Sequence, residues 1–406
     1  MKKIRSIEDI KTVSGRVDHI LTLFSGGLDS TYLLEILKDM DVKVTALAID
    51  LGDGIDTTLL NHIADHYGID LIIEDGRQTF IEHSIVSAVQ AQALYLGDYP
   101  VSSSLSRPVI VKHAVAVAEQ LQCDAIVHTA NQSQNSLRRL NGAIERSEFN
   151  GYYGSPYEYS AISRDDKISG LSLSGLFEFN SRNVSGDSNL WCREFESGVL
   201  DNPEKFQLCE SLFDWSVWDP KKQLSKQNHQ LAITFHRGMP IKINNQTMSL
   251  LDMVMFLNRH IGSYQIGRYI GFDHLDFGEK VLEIREAPAA HALMAAYHYL
   301  ETAILETEVL RMKAQQSFAW TNEAVEGRWG SMLQKATQAF ISHTAETITG
   351  TVAFSLSRGQ MLMSGIYADQ PRYLKDRDAW EIQVAYERSQ RSLVLNEPSM
   401  QIAVSA

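Results

Sequence analysis

Apolar positions in the first third of the chain fall in short unbroken runs, each followed by a stretch with helical spacing. His19-Ile20-Leu21-Thr22-Leu23-Phe24 is such a run and ends at a glycine pair, as a buried parallel strand does. Residues 31–40 then place Leu33, Leu34, Ile36 and Leu37 at helical intervals, so strand, tight turn and helix follow in order. The alternation continues with a strand over 42–49, closed by Asp50-Leu51-Gly52-Asp53-Gly54, a helix over 57–67 and a strand over 70–73. A long helix over 79–95, a helix near 109–120 and a strand over 123–128 follow. This succession predicts an α/β domain on a mostly parallel, doubly wound sheet.

The texture changes after about Leu140. Residues 141–190 are rich in Ser, Gly, Asn and Tyr and read as a long functional loop or a domain junction. Farther on, strands over 230–236 and 242–244 precede a helix over 249–260. Pro288 suits a first helical turn, and residues 289–318 hold neither Gly nor Pro, which predicts one strong helix. Residues 349–356 and 360–366 read as a hairpin around Ser357-Arg358-Gly359. The segment beyond residue 371 carries charges with weak periodicity, as expected of an extended arm or partly ordered tail.

At 406 residues the chain exceeds what one core usually supports, so two domains are expected. With 44% hydrophobic and 21% charged residues, the composition is that of a globular enzyme. The net charge of −13, with no run of basic residues, disfavours a nucleic-acid partner. Cys123, Cys192 and Cys209 stand far apart and form no CxxC, which argues for a reducing compartment and against a zinc site or disulfide framework. The basic Met1-Lys2-Lys3-Ile4-Arg5 is followed by no apolar stretch, and no later segment is long enough to span a membrane. A cytoplasmic enzyme is expected.

The candidate chemistry sits at the first strand-helix turn, Ser25-Gly26-Gly27-Leu28-Asp29-Ser30. Glycines let the backbone approach phosphate oxygens, and amides at the helix start point their donors at the anion. Ser25, Ser30 and Thr31 can add hydroxyl donors, while the anionic Asp29 suits a Mg²⁺ bridging the phosphates. There is no G-x-x-x-x-G-K-[ST] and no G-x-G-x-x-G opening the first helix, which speaks against kinase-type and dinucleotide sites. The hexapeptide resembles the S-G-G-x-D-[ST] hallmark of PP-loop ATP pyrophosphatases, which activate a substrate oxygen by adenylation.

Further stretches resemble argininosuccinate synthase, in that family's order. They include Tyr99-Pro100-Val101-Ser102-Ser103-Ser104-Leu105-Ser106-Arg107-Pro108, and Ser185-Gly186-Asp187-Ser188-Asn189-Leu190-Trp191 running on through Glu196-Ser197-Gly198-Val199-Leu200. Ile266-Gly267-Arg268, Glu286-Ala287-Pro288, Gly327-Arg328-Trp329 and Thr349-Gly350-Thr351-Val352 continue the match, which covers about residues 17–370. The resemblance implies a PP-loop (HUP-like) nucleotide-binding domain over 1–178, an α+β synthetase domain over 179–371 and a C-terminal arm over 372–406. It implies a two-step C–N ligation. The ureido oxygen of citrulline attacks the α-phosphate of ATP, releasing pyrophosphate, and the amine of aspartate then displaces AMP. Positioning and charge neutralisation suffice, with Asp29 and Arg139 as the catalytic candidates.

Carried over by residue, the resemblance implies ATP contacts at Leu23, Phe24, Ser25, Gly26, Gly27, Leu28, Asp29, Ser30, Thr31, Ile49, His128 and Thr129. Citrulline contacts fall on Tyr99, Ser104, Asn135, Arg139 and Ser185, which keep the family's residue type; Arg139 is a natural carboxylate clamp. Ser103 replaces a Thr that contacts aspartate. Other positions depart from the pattern. In the loop from Thr129 to Leu140, Gln132 and Gln134 replace glycines, Ser133 a lysine, and Asn131 and Ser136 the aspartate-contacting Thr and Asp. Glu194 replaces a Ser, Asp273 a Glu and Arg285 a Tyr. Either Glu194 and Arg285 form a local pair, or drift on a solvated edge, without a ligand role, or the ureido-type acceptor, the amine, or both have changed.

His291 and His298 share a helix face, where packing is expected over metal binding. Tyr152, Tyr153, Tyr157 and Tyr159 are expected to close a loop over a pocket. The rivals are another PP-loop adenylating enzyme and an ATP-binding regulatory homologue without ligase activity. The family's assembly implies a homo-oligomer, tetramer or dimer, using the C-terminal arm.

Overall fold

A six-stranded sheet forms where the alternating pattern predicts it. In this computed structural model, residues 2–181, 185–196, 198–221, 229–275 and 278–395 are described. The first strands are β1 (Lys2–Ile4), β2 (His19–Leu23), β3 (Lys43–Asp50) and β4 (Asp70–Asp75). After a small ribbon of β5 (Leu94–Tyr95) and β6 (Tyr99–Pro100) come β7 (Ala125–Val127) and β8 (Tyr152–Gly154). The large sheet runs β1-β8-β7-β2-β3-β4, and every pairing is parallel. The chain winds from β2 out to β3 and β4, then returns on the other side of β2 to β7 and β8. Strand order thus reverses beside β2, where open α/β sheets leave a ligand crevice at the strands' carboxyl ends.

Successive residues of β2 point to opposite faces and meet different cores. Ile20 packs with Leu33, Leu37 and Ile63, from helices α2 (Leu28–Leu37) and α3 (Thr57–Tyr67), which follow α1 (Ile7–Ser14). Leu21 packs on the other face with Val117, Leu140 and Ile144. These come from α6 (Ser103–Gln120) and α7 (Ser136–Glu145), which follow α4 (Arg77–Phe80) and α5 (Val86–Ala91).

The later part holds two antiparallel sheets. β9 (Ser185–Ser188), β10 (Arg193–Glu196), β14 (Arg268–His274) and β15 (Lys280–Glu286) lie in the order β14-β15-β10-β9. β11 (Gln230–His236), β12 (Met239–Ile243), β13 (Gln246–Thr247), β16 (Gly350–Ser357) and β17 (Gln360–Ala368) lie in the order β13-β12-β11-β16-β17. The α/β domain and the second, α+β part are joined through a shared core. Phe80, Ile85, Val89, Leu105 and Val109 are buried in one cluster with Leu231, Leu293, Tyr297 and Trp320.

Several expectations need correction. The helix expected over 79–95 runs as continuous helical backbone from Arg77 to Ala91, with a π-helical turn at Ile81–Ile85 between α4 and α5, and stops short because Gln92 turns into the left-handed region at φ 49°. α6 begins six residues earlier than the expected 109 and carries Pro108 inside it. The stretch 141–190 is no single loop, since it supplies β8 and helix α8 (Arg164–Leu173). The helix over 289–318 is two, Pro288–Ile304 and Thr307–Val325, because Leu305 turns extended and is buried in the core. The tail is helical over Arg377–Leu395, where an extended or partly ordered arm was expected. No described helix is long and apolar enough to cross a membrane.

Candidate active site

The glycine-pair loop owes its shape to its neighbours. Phe24 N donates to Leu47 O at 2.8 Å, carrying the β2–β3 pairing one residue past the strand. Gly26 then turns left-handed at φ 66°, which favours glycine, and a Cβ there would lie 2.5 Å from Leu60 Cδ2 and force that side chain to move. Gly27 opens α2 with no side-chain cap. The first-turn amides are therefore left for an anion. Ser30 Oγ donates to Gly27 O at 3.1 Å and lies 3.3 Å from Ser25 Oγ, so both hydroxyls stand together at this helix start.

A cavity of about 700 Å³ opens here, at the carboxyl ends of β2, β3 and β7 and against the β14-β15-β10-β9 sheet. Of the expected ATP contacts, Leu23, Phe24, Ser25, Gly27, Leu28, Asp29, Ser30, Ile49, His128 and Thr129 line it. Gly26 and Thr31 stand behind the loop, Thr31 fully buried. Of the expected amino-acid contacts, Ser103, Asn135, Ser136, Arg139, Glu194 and Asp273 line the cavity. Tyr99, Ser104, Asn131 and Arg285 do not; the first two and Arg285 are buried behind the wall. Ser185 opens β9, and its side chain lies outside the described residues.

Charge on the wall is organised by strand register. Glu194 faces Arg285 and Glu196 faces Glu283 across β10 and β15, which places all four on one face of the sheet. Arg285 is only 3% exposed, its Nε donates to Glu194 Oε2 at 3.0 Å, and it also pairs with Glu283 and, at 3.7 Å, with Asp273. Its guanidinium lies 3.7 Å from the centre of the Tyr99 ring. Arg285 is thus an internal counter-ion, and the solvated-edge alternative is corrected. Burial opposes its charge, but Glu283 and Glu194 outweigh that and hold its pKa above the ordinary value. Glu194 also accepts from Ser103 N at 3.2 Å, and Asp273 accepts from Asn135 Nδ2 at 3.0 Å. Burial, followed by the repulsion of Glu194, raises the Glu196 carboxyl above the usual range; burial raises Glu283 well above it despite Arg285.

On the opposite wall Arg139, 5% exposed, donates to Ser103 Oγ at 2.7 Å and to Val325 O at 3.0 Å. Arg107 donates to Ser136 Oγ at 3.0 Å and pairs with Asp187 at 2.6 Å. His128 is 1% exposed and bonded to Asn141 Oδ1 at 3.0 Å, and burial pushes its pKa down to about 4. It is neutral at neutral pH. Arg107, Arg164, Asp187, Glu196 and Glu283 line the cavity although the sequence singles out none of them as a ligand. The available signal is the Glu194/Glu196 alternation on one strand, which becomes readable once β10 is known.

Asp29 lines the cavity, yet its Oδ1 is paired with Lys167 Nζ at 2.7 Å. Among the described residues no group of three or more His, Cys, Asp and Glu side chains could hold a metal alone. A Mg²⁺ that shares its ligands with substrate phosphates needs only one or two carboxylates, so a single Asp29 fits such an ion.

The expected loop-closing tyrosines do not line the cavity. Tyr153 donates to Glu145 at 2.6 Å, Tyr157 to the Asp29 carbonyl at 3.1 Å, and Tyr159 is exposed. His291 is bonded to Tyr269 at 2.9 Å and His298 to Glu301 at 3.3 Å, so each has its own protein partner.

Two family models match the chain. The argininosuccinate synthase N-terminal HUP domain covers residues 19–170, and the argininosuccinate synthase C-terminal domain covers residues 184–404. The chain belongs to the argininosuccinate synthase family. It is 31% identical over 350 residues to the argininosuccinate synthase of Lacticaseibacillus paracasei, covering 84% of each chain. It is 28% identical over 356 residues to that of Pyrococcus furiosus, covering 87% of this chain and 86% of the relative. Among solved structures, an NAD+ synthetase from Burkholderia pseudomallei matches 43% of this chain and 67% of its own, at 13% identity with a TM-score of 0.31. That likeness is too slight to bear on the fold. Membership of the argininosuccinate synthase family makes this protein an ATP-dependent ligase that forms C–N bonds and yields AMP and pyrophosphate.

Proposed function

We propose that the protein adenylates a ureido- or amide-type amino acid in this cavity and then joins it to an amine, with a substrate pocket altered from the citrulline-plus-aspartate arrangement. The observation that supports the alteration is the cavity lining: Glu194, Asp273 and Ser136, three positions that depart from the family's pattern, face the cavity, while Arg285 forms a local pair with Glu194 and does not line it. In the first step the acceptor oxygen bonds to the α-phosphorus and the bond to pyrophosphate breaks. In the second the amine bonds to the activated carbon, AMP leaves with that oxygen, and the amine loses a proton.

The chain's residues have separable tasks. The α2 amides, Ser25 and Ser30 take the phosphates. Mg²⁺, when bound at Asp29, supplies positive charge against the pyrophosphate. Arg139 and Ser103 hold the junction between nucleotide and amino acid, and Asn135, tied to Asp273, links the α7 start to the acidic wall. Such an arrangement works by positioning and charge compensation. The three cysteines are free, which suits a cytoplasmic setting. A homo-oligomeric assembly through the C-terminal segment completes the reading.

The test is a substrate screen read by pyrophosphate release with ATP and Mg²⁺. Citrulline with aspartate is compared with other ureido and amide acids paired with other amines. A shifted preference is expected. An ordinary rate with citrulline plus aspartate overturns the alteration, and release that needs no amino acid overturns the ligase assignment of this cavity.

A further inference from the structure

The Asp29 carboxylate is fixed from behind. Lys167, on α8, brings Nζ to 2.7 Å from Asp29 Oδ1 and lies over the Tyr157 ring at 4.6 Å. Tyr157 donates to the Asp29 carbonyl at 3.1 Å, so side chain and backbone of Asp29 are held by one pair of residues. Burial raises the Tyr157 phenol's pKa, which keeps it a donor. Lys167 is 6% exposed and does not line the cavity, whereas the Asp29 side chain lines it and is 28% exposed.

The helices are locked in this register. Residues three apart share a helix face, so Asp29 and Tyr32 on α2 meet Lys167 and Gly170 on α8. A Cβ at Gly170 would come within 2.8 Å of the Tyr32 ring, which makes the approach one that glycine permits. Ser163 caps α8 by accepting from Asp166 N at 3.1 Å, one residue before Lys167. The ammonium therefore has a fixed place.

A buried ammonium on the only acidic group of a phosphate-binding loop acts as a resident counter-charge. We propose that Lys167 is a positioning residue that neutralises Asp29 while no divalent cation is bound. Metal and Lys167 then compete for the carboxylate, and Lys167 sets how strongly ATP binding depends on Mg²⁺. This rests on the ATP-site part of the function proposed above and not on which amino acids are joined.

The measurement is the Kd of the full chain for ATP, by calorimetry, without metal and with saturating magnesium chloride. The informative quantity is the ratio of the two, which reports the coupling between metal and nucleotide. Lys167→Met removes the cation, so metal-free binding weakens while binding with Mg²⁺ stays near the original value. The ratio is expected to grow about three- to tenfold, the size of a partly screened charge pair. Asp29→Asn brings the ratio toward one, and adding Lys167→Met to it changes the ratio no further. Lys167→Arg keeps the ratio within about twofold because the charge is kept. Lys167→Gln, which retains a polar head, is read in the same way should the methionine variant fold poorly. A merely structural lysine would weaken both affinities alike, and an unchanged ratio overturns the proposal. If the ratio collapses in Asp29→Asn but stays fixed in Lys167→Met, only the Lys167 role fails. If it is unchanged in Asp29→Asn, the metal role of Asp29 fails with it.

Discussion

His128 shows how one buried side chain ties the nucleotide wall to pH. It sits at the end of β7 with Nε2 on Asn141 Oδ1, and Ala130 N donates to Nδ1 at 3.4 Å. Those two contacts need a neutral ring protonated on Nε2. Burial holds its pKa at about 4 against an ordinary 6.5. A depressed folded value means that the unfolded chain takes up the proton first. The contribution is therefore intact above pH 6.5 and is lost as the pH falls through 4, reaching roughly 3 kcal/mol at full size. Urea midpoints measured at pH 7.5 and 4.5 should fall less in His128→Gln than in the unchanged protein. An equally steep fall in the variant would show that the acid loss lies elsewhere. In the sequence His128 is legible as the end of an expected strand and, through the resemblance, as an expected ATP contact, but its neutral state is not, because the burial that sets it comes from the fold.

At the scale of elements, what the sequence discloses depends on how local the cause is. α3 occupies the expected 57–67 because Asp56 caps it by accepting from Leu59 N, and Gly68, at φ 61°, ends it. The Ser25–Ser30 loop is legible for the same reason, being strand, turn and helix start in a dozen residues. The break at Leu305 has no Gly or Pro to announce it and follows from that side chain's place in the core. Pro108 argues locally against a helix that tertiary packing maintains. The acidic wall is the least legible, since Glu194, Glu196, Asp273 and Glu283 meet only through the pairing of β10, β14 and β15. Burial, and then the neighbouring Glu194, make an ionised Glu196 costly. The raised Glu196 pKa means that the folded state resists its ionisation, so its stability is greatest below about pH 4.5, the ordinary value, and declines as the pH rises through the raised one. Glu196→Gln should therefore raise Tm at pH 8 by on the order of 2 °C, with a smaller gain at pH 5. An equal gain at both values would assign the effect to packing instead of charge.

At the scale of the whole molecule, the cavity is shaped by two layers that a shared core holds together, while the last strand and the C-terminal helix expose apolar side chains. β17 is the edge of its sheet and exposes Leu362, Met363 and Tyr367 at 55%, 41% and 63%. The C-terminal helix exposes Trp380, Ile382 and Tyr386, the last two four residues apart and so on one face. An unpaired strand edge beside exposed aromatic and aliphatic side chains is a surface that single soluble chains avoid. A second copy of the chain is the partner the proposed assembly supplies, and in that proposal the helix Arg377–Leu395 reaches across to it. Truncation after Asp369 removes that helix and leaves β16 and β17 in place. Light scattering coupled to sizing should then show a smaller assembly at the same protein concentration, with pyrophosphate formation retained at reduced stability, because among the described residues none that lines the cavity lies beyond Glu283 and the Val325 carbonyl that holds Arg139 is kept. An assembly of unchanged size would remove the C-terminal helix from the interface and leave the β17 edge to account for it.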